Sequence, residues 1–492
     1  MSVPKPNVRF LLLHKRCCIF CGGPFFLAVA ANFNLSFRRA LLLFLPLAAI
    51  ALCSGCRPSP EAVVANVQPL QPPGAVVPVR VVHTAAGYEL QRGGKPYFIK
   101  GAAGVQRLNL IREKGGNSVR IYTATYADVL MDRAQQNGLT VMFGLWMKPP
   151  YEKFDYYDPK AVAEQQEEVY RQVRRFKNHP ALLIWNLGNE LDNHYGDFKV
   201  YQVVNETARM IHKLDPNHPV TTTITDGTYS IPSIAHLCTD IDVLTINVFT
   251  KLAEQPQRIA DAGWKGPYII GEFGGRGWWE TKLTSWEAPL DQSGTAKAAL
   301  LRRGYTSTIA GRRSHCLGSY VLYWGNRFEQ TDMWLSMFAP TGEKTPMVDM
   351  IEQLWTNRKP TNEAPQVGPI TLNNKQDIND VVLAPGTDYP ASITASDSEG
   401  DSLRVEWRVT RDVDEFHTLP QNRTAPETIP EAIRTSQGVT AVVHTPTIHG
   451  AYRLLVNVYD GKGSVSNNSF PFFVGRPDHP ERGIHMPTNR RL

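Results

Sequence analysis

Beyond residue 56 the chain has almost no cysteine: only Cys238 and Cys316 remain, against Cys17, Cys18, Cys21, Cys53 and Cys56 before that point. Two isolated thiols make neither a disulfide framework nor a metal cage, and they read as small buried side chains. No group of His and Cys has metal-ligand spacing, so neither a metal nor any other cofactor is expected. An excess of one charge is also missing from the body. The chain carries 52 Lys and Arg against 46 Asp and Glu, a net +6. Lys5, Arg9, Lys15, Arg16, Arg38 and Arg39 all lie within residues 1–56, which contain no acid; 52 minus these six leaves 46 against 46. A neutral body lacks the basic footprint that neutralises phosphates, which argues against a nucleic-acid partner. No candidate strand is followed by a Gly-rich phosphate fingerprint, and no apolar run is long enough to span a bilayer.

What the first 56 residues do contain is an address. Phe37-Arg38-Arg39 precedes an apolar run from Ala40 to Leu52 and the small residues Ser54-Gly55-Cys56. A basic region, a short apolar core and a small-residue end read as an export signal. The closing cysteine resembles a bacterial lipobox, with Cys53 where Leu is usual, so Cys56 is the expected lipidation site and a lipid anchor the expected tie to a membrane. A periplasmic or cell-surface lipoprotein is the reading, with a secreted protein as the alternative. The apolar stretch in residues 1–36 reads as the product of an upstream start codon. Residues 57–87 then form a tether, with six prolines between residues 57 and 80.

Within residues 88–355 eight short apolar runs recur: 97–100, 118–122, 141–145, 182–186, 220–225, 243–247, 268–272 and 320–324. Amphipathic stretches lie between several of them. Val162, Val169, Val173 and Phe176 share one helical face; Val204, Ala208, Ile211 and Leu214 share another. Strands apolar on both faces and separated by helices imply a covered parallel sheet, and eight such units match a (β/α)8 TIM barrel. Residues 356–367 are polar and read as a linker. Residues 368–476 show period-two alternation, as in Tyr452, Leu454, Val456 and Val458, with turns at 397–401 and 460–463, which predicts a C-terminal β-sandwich. Residues 477–492 read as a flexible tail. A separate alternating core and a polar linker predict a barrel that folds without the sandwich.

Two carboxylates stand out by position. Glu190 closes Trp185-Asn186-Leu187-Gly188-Asn189-Glu190 after the fourth run, and Glu272 closes Tyr268-Ile269-Ile270-Gly271-Glu272 at the end of the seventh. Barrel chemistry sits at the C-terminal ends of strands, which puts both carboxylates on one pocket. Two such groups are what glycosidic cleavage requires, one giving a proton to the leaving oxygen and one attacking the anomeric carbon. Taken singly, each Glu reads more readily as a helix cap; the pair at such strand ends reverses that.

Asn178-His179-Pro180, Trp185, Gly188-Asn189-Glu190 and Gly271-Glu272-Phe273-Gly274 resemble the retaining glycoside hydrolases of clan A, most nearly the barrel module of glycoside hydrolase family 2. The resemblance covers about residues 90–355. It implies Glu190 as general acid/base and Glu272 as nucleophile. It further implies that Asn189 bonds the sugar hydroxyl beside the reacting carbon, that Arg120 orients and ionises the nucleophile, and that Trp324 forms the aromatic floor of the subsite. A cation beside Glu272 and a drier setting for Glu190 would push the two carboxylates toward different protonation states. The resemblance departs at Phe249, where the family often has a tyrosine touching the nucleophile. Family 2 enzymes also normally carry two β-domains ahead of the barrel, where this sequence has a tether.

Trp146, Trp278, Trp279, Trp286 and Trp334 fall in or near expected loops and are candidate sugar platforms, with core packing as the alternative for about half of them. Asp192, His194 and Tyr195 either line the cleft or belong to a solvated loop, and His179 reads as a structural hydrogen-bonder. Residues Asp397–Trp407 resemble polycystic-kidney-disease or cadherin-like Ig-type repeats, whose acids bind Ca2+ if they do not simply make a turn. The sequence therefore predicts a retaining β-glycoside hydrolase acting on an oligo- or polysaccharide. The alternatives are a transglycosylase on the same site and a non-catalytic carbohydrate-binding lipoprotein.

Overall fold

The computed structural model describes residues 75–193, 197–376, 380–413 and 424–475, without the side chain of Tyr151. Cys56 and the export segment, His194, Tyr195 and the tail beyond 476 lie outside the described residues.

The first ordered element comes earlier than the expected end of the tether. Strands β1 (Val79–Thr84), β2 (Gly87–Arg92) and β3 (Lys95–Pro96) form a small antiparallel sheet. Alternation within the short segments VRVVHT and GYELQR buries Val79 and Leu90 against Ile99, Leu183, Val243, Ile269 and Leu317, at the N-terminal ends of the barrel strands. These residues close the floor of the barrel. Proline content suggested a tether up to residue 87, but the apolar faces of β1 and β2 decided otherwise.

Eight parallel strands then close on themselves: β4 (Ile99–Ala103), β5 (Ser118–Ile121), β6 (Thr140–Leu145), β7 (Leu182–Leu187), β8 (Val220–Ile224), β9 (Val243–Asn247), β10 (Tyr268–Phe273) and β11 (Cys316–Leu322). β10 pairs with both β9 and β11, and β11 pairs with β4, which completes the circle. This is the TIM barrel that the alternating pattern predicts. Each of the eight runs overlaps a barrel strand; the first strand begins later than its run, at Ile99, and the eighth earlier, at Cys316. Helix α1 (Pro159–Phe176) shows why these segments wind as they do. Asp158 accepts from the Lys160 amide at 2.9 Å, Pro159 occupies the first turn, and Val162, Val169, Val173 and Phe176 bury one stripe. Helix α2 (Lys199–Leu214) buries Val204, Ala208 and Ile211 in the same manner.

The C-terminal region folds as two sheets around a shared core that includes Ile370, Ile393, Trp407, Leu454, Val456, Phe470 and Phe472. One sheet holds β12 (Gln366–Leu372), β13 (Lys375–Gln376), β15 (Asp388–Ser396), β17 (Ile433–Gln437) and β18 (Thr440–His444). The other holds β14 (Val382–Leu383), β16 (Arg404–Arg411), β19 (Gly450–Tyr459) and β20 (Val465–Val474).

The expectation that barrel and sandwich are independent is not met. All ten residues of β20 are buried. Arg453 is 1% exposed, pairs with Asp412 at 2.8 Å, donates to the Pro289 carbonyl at 3.0 Å and lies over the Trp334 ring. Arg408 of β16 pairs with Asp332, in the loop after β11, at 2.9 Å. The supposed linker is itself pinned, since Asn362 donates to Asp460 at 2.7 Å and to Ser464 at 2.8 Å. Buried charge and buried strand together make one continuous body from barrel to sandwich.

Candidate active site

The polar residues of the upper barrel converge on one guanidinium. Arg120, on β5, is completely buried. Its Nη1 donates to Asn247 Oδ1 and to the Gly271 carbonyl, both at 2.9 Å, and lies 3.4 Å from Glu272 Oε1. Its Nη2 donates to Asn189 Oδ1 at 2.7 Å and to Thr223 Oγ1 at 3.1 Å. Five acceptors from the ends of three strands, β8, β9 and β10, and from the turn after β7 thus meet a planar fork of fixed geometry, a task that suits Arg and not Lys. Gly271 makes room for it. A Cβ there would sit 2.8 Å from Arg120 Nη1 and 2.7 Å from Asn247 Oδ1.

Glu272, near the end of β10, is 8% exposed. Besides Arg120 it meets the Tyr122 hydroxyl, which donates to Oε1 at 2.6 Å. Tyr122 directly follows β5, and the Arg120 guanidinium stacks over its ring at 4.7 Å. The tyrosine missing from position 249 is thus matched by a phenol from a different strand end. Sequence reasoning missed it, although the Arg120-Ile121-Tyr122 spacing of two places both side chains on the same face of a strand.

Glu190 lies in the turn after β7 at φ 51°, a left-handed conformation that non-glycine residues seldom adopt. Gly188 two residues earlier is also left-handed, at φ 70°, and its amide donates to the Leu145 carbonyl at 2.9 Å. The Glu190 amide donates to the Thr223 carbonyl at 2.9 Å, which locks the turn across β8. Its carboxylate accepts from Asn247 Nδ2 at 2.8 Å. Burial, reinforced by the negative charge of Glu272, pushes the Glu190 carboxyl up to about 7. Asn247 therefore links the two carboxylates, bonding Glu190 through its amide nitrogen and Arg120 through its amide oxygen. Asn189 Oδ1 is taken by Arg120 and by Asn247, the latter at 3.2 Å. These bonds assign the amide nitrogen of Asn189 to the donor side that remains.

Several expected substrate contacts lie elsewhere. Arg120 is completely buried and meets the upper barrel through groups such as Glu272, Asn189 and Asn247, so it is placed to orient them and not to touch a ligand. Trp324 is fully buried, edge-on to Phe338 and stacked near Trp355, with Nε1 on the Arg107 carbonyl. It is a core residue and not a floor, because the chain after β11 turns its indole outward onto the helix Pro346–Thr356. The residue before it, Tyr323, carries Arg327 over its ring at 4.8 Å, and Glu272 lies near enough to act electrostatically on Arg327. Trp278 is 9% exposed, packed edge-on against Trp279, which is 49% exposed. Trp146 is 38% exposed. Trp286 packs on Phe473 of the sandwich, and Trp334 is buried beneath Arg453 and Lys297. Asp192 is buried, accepting from the Thr225 amide and hydroxyl and from Ser230, so it braces the Glu190 turn and does not line the cleft. His179 is likewise structural, held by Asp132 at 3.1 Å and by the Ala181 amide.

With this geometry in hand, the comparison with known proteins is direct. Residues 101–286 match the TIM barrel domain of glycosyl hydrolases family 2. That span includes Arg120, Tyr122, Glu190, Asn247 and Glu272. Among curated relatives, the β-glucuronidase of Homo sapiens is 27% identical over 150 residues, 30% of this chain and 21% of that one. The β-glucuronidase of Paenibacillus borealis is 26% identical over 165 residues, 32% of this chain and 26% of that one. The β-galactosidase of Leuconostoc mesenteroides is 27% identical over 127 residues, 25% of this chain and 12% of that one. The matched region thus spans about a quarter or less of these relatives. Among solved structures, the family 2 β-galacturonidase of Eisenbergiella tayi bound to galacturonate aligns with TM-score 0.44 and 16% identity over 57% of this chain and 54% of that chain. A β-glucuronidase of Bacteroides uniformis aligns with TM-score 0.44 and 12% identity over 81% and 48%.

Proposed function

We propose that the protein is a retaining β-glycoside hydrolase. The observation that carries this reading is the unequal environment of two carboxylates joined by one network. Glu272 faces a guanidinium and a phenol, while Glu190, buried beside another carboxylate, holds its proton up to about pH 7. That is the division of labour the reaction needs. In the first step Glu272 attacks the anomeric carbon as Glu190 gives its proton to the departing oxygen, forming a glycosyl ester. In the second, Glu190 takes a proton from water, whose oxygen displaces Glu272 and restores both groups. Asn189 suits a hydrogen bond to a hydroxyl beside the reacting carbon. The β-glucuronidases and the β-galactosidase among the relatives support a β-linked sugar.

The test is to separate the two carboxylates. Glu272→Gln leaves no nucleophile, so turnover falls by orders of magnitude on every substrate. Glu190→Gln spares the first step for a dinitrophenyl glycoside, whose phenol leaves unaided, and added azide restores turnover with a β-glycosyl azide as product. Equal behaviour of the two variants, or an α-azide, sinks the assignment.

The export reading belongs to the same proposal. The Ser54-Gly55-Cys56 end of the apolar run supports lipidation at Cys56 and anchoring of the enzyme to a membrane. Cys56→Ser should release it from the membrane fraction. A variant that still sediments with membranes rejects the anchor. We further assign the C-terminal sandwich to the Ig-type domains that residues 397–407 resemble.

A further inference from the structure

The exposed apolar side chains are distributed unevenly. Among the described residues eight large ones are exposed, and six of them follow barrel strands at the end that carries Glu190 and Glu272. Val105 follows β4, Tyr126 follows β5, Trp146 and Tyr157 follow β6, Tyr229 follows β8 and Trp279 follows β10. Chance exposure would scatter such residues over helix backs and the floor sheet as well. Water-exposed aromatic faces ringing one mouth suit a partner with flat apolar faces and many hydroxyls, which describes pyranose rings.

The loop after β6 goes further, because it contains a shaped site. A groove of about 360 Å3 is lined there by Lys153, Phe154, Asp155, Tyr157 and Asp197, among others. Its wall is rigid. Phe154 meets Tyr156 edge-on at 4.8 Å, Tyr156 donates to the Lys148 carbonyl at 2.7 Å, and Gln165 holds the Lys148 amide at 2.8 Å. Tyr157 is 66% exposed, its amide donating to Asp155 at 2.8 Å and its hydroxyl to Asp197 at 3.2 Å. Lys199 lies over the Tyr157 ring at 5.9 Å, yet the tyrosine stays largely exposed, so the ring offers a stacking face while Asp155, Asp197 and Lys153 offer acceptors and a donor for hydroxyls. The loop begins at Trp146, directly at the end of β6, and β6 pairs with the strand that leads to Glu190. The groove is therefore continuous along the chain with the catalytic mouth but separate from the carboxylate network.

We propose that this groove is a distal sugar subsite, so that the substrate is a glycan chain reaching from the Glu190–Glu272 pair to Tyr157. The proposal rests on the glycosidase reading and adds the substrate's length. A single glycoside would leave the groove and most of the aromatic rim without a role.

The test uses the full chain and two kinds of probe: aryl β-glycosides, and β-linked di- to hexasaccharides of glucose, galactose, mannose and their uronic acids. For whichever sugar is cleaved, kcat/KM should rise with chain length. Tyr157→Ala should lower the ratio of hexasaccharide to aryl-glycoside kcat/KM by about fivefold to tenfold, the size of one aromatic stacking contact. Tyr157→Phe keeps the ring and should keep the ratio. A kcat/KM that does not change with length, or equal losses on both probes, overturns the subsite. Calorimetric titration of the same hexasaccharides into Glu272→Gln separates the two readings. Binding that weakens with Tyr157→Ala, in a wild-type protein that cleaves nothing, keeps the subsite and rejects the glycosidase. No binding and no turnover rejects both, and assigns the aromatic rim to another kind of partner.

Discussion

Tyr122 donates its hydroxyl to Glu272 from the end of β5, across the barrel mouth from β10, at 2.6 Å. The bond orients the carboxylate proposed above as nucleophile, and in that proposal Tyr122 is a positioning residue. Hydrogen bonds to charged groups are worth about 1.5–3 kcal/mol. Tyr122→Phe should lower kcat by about ten- to a hundredfold with KM little changed, as for an interaction used mainly in the transition state. Steady-state kinetics on an aryl β-glycoside decides it. A rise in KM at constant kcat would instead make Tyr122 a ground-state contact.

Arg120 serves five acceptors, and lysine has three donors in another geometry. Arg120→Lys keeps the charge but should cost about 1–3 kcal/mol of stability for each buried acceptor left without a donor. It should also lower kcat by about a hundredfold, because Glu272, Asn189 and Asn247 lose their common support. Urea unfolding and kinetics on the same preparation test both effects.

The raised Glu190 carboxyl has a consequence for activity and one for stability. In its proposed role as general acid it must be protonated, so kcat/KM on a sugar leaving group should fall above about pH 7, while a dinitrophenyl leaving group should lack that limb. For stability, the carboxyl is protonated in both folded and unfolded chains below 4.5, and its contribution is fully present there. As the pH rises towards 7 the unfolded chain ionises first, and the native state loses that contribution. Glu190→Gln should therefore melt several degrees above wild type at about pH 8 and near wild type at about pH 4. Melting curves at the two pH values test the sign.

Barrel and sandwich should unfold together. Truncation after Trp355 exposes the surfaces that cover β20, Trp334 and Pro289, so the shortened chain should be insoluble, while the full chain melts in one transition. Arg453→Ala leaves Asp412 buried without its cation and should cost about 3–5 kcal/mol. Calorimetry showing two separate transitions would contradict this coupling.

Much of the molecule was written locally. Each barrel strand is a short run apolar on both faces, and each amphipathic helix has its stripe, so the eightfold alternation and the two glutamates at strand ends could be read residue by residue. The same local reading placed the tether's end late, because six prolines outweighed the short alternation in β1 and β2. The family resemblance implied Trp324 as the site's floor, and neither resemblance nor pattern tells which way the chain turns after its last strand residue.

What the sequence by itself determined is the periodicity: which segments are strands, which face of a helix is apolar, and which acids close a strand. Only the tertiary structure decided which side chains meet. Tyr122 reaches Glu272, Asn247 joins Glu190 to Arg120, and Arg453 crosses from the sandwich to Pro289, because barrel closure and domain packing bring together residues distant in sequence. Burial and the neighbouring charge of Glu272 then set the protonation of Glu190. Those two quantities depend on the surrounding three-dimensional environment, so no linear pattern encodes them.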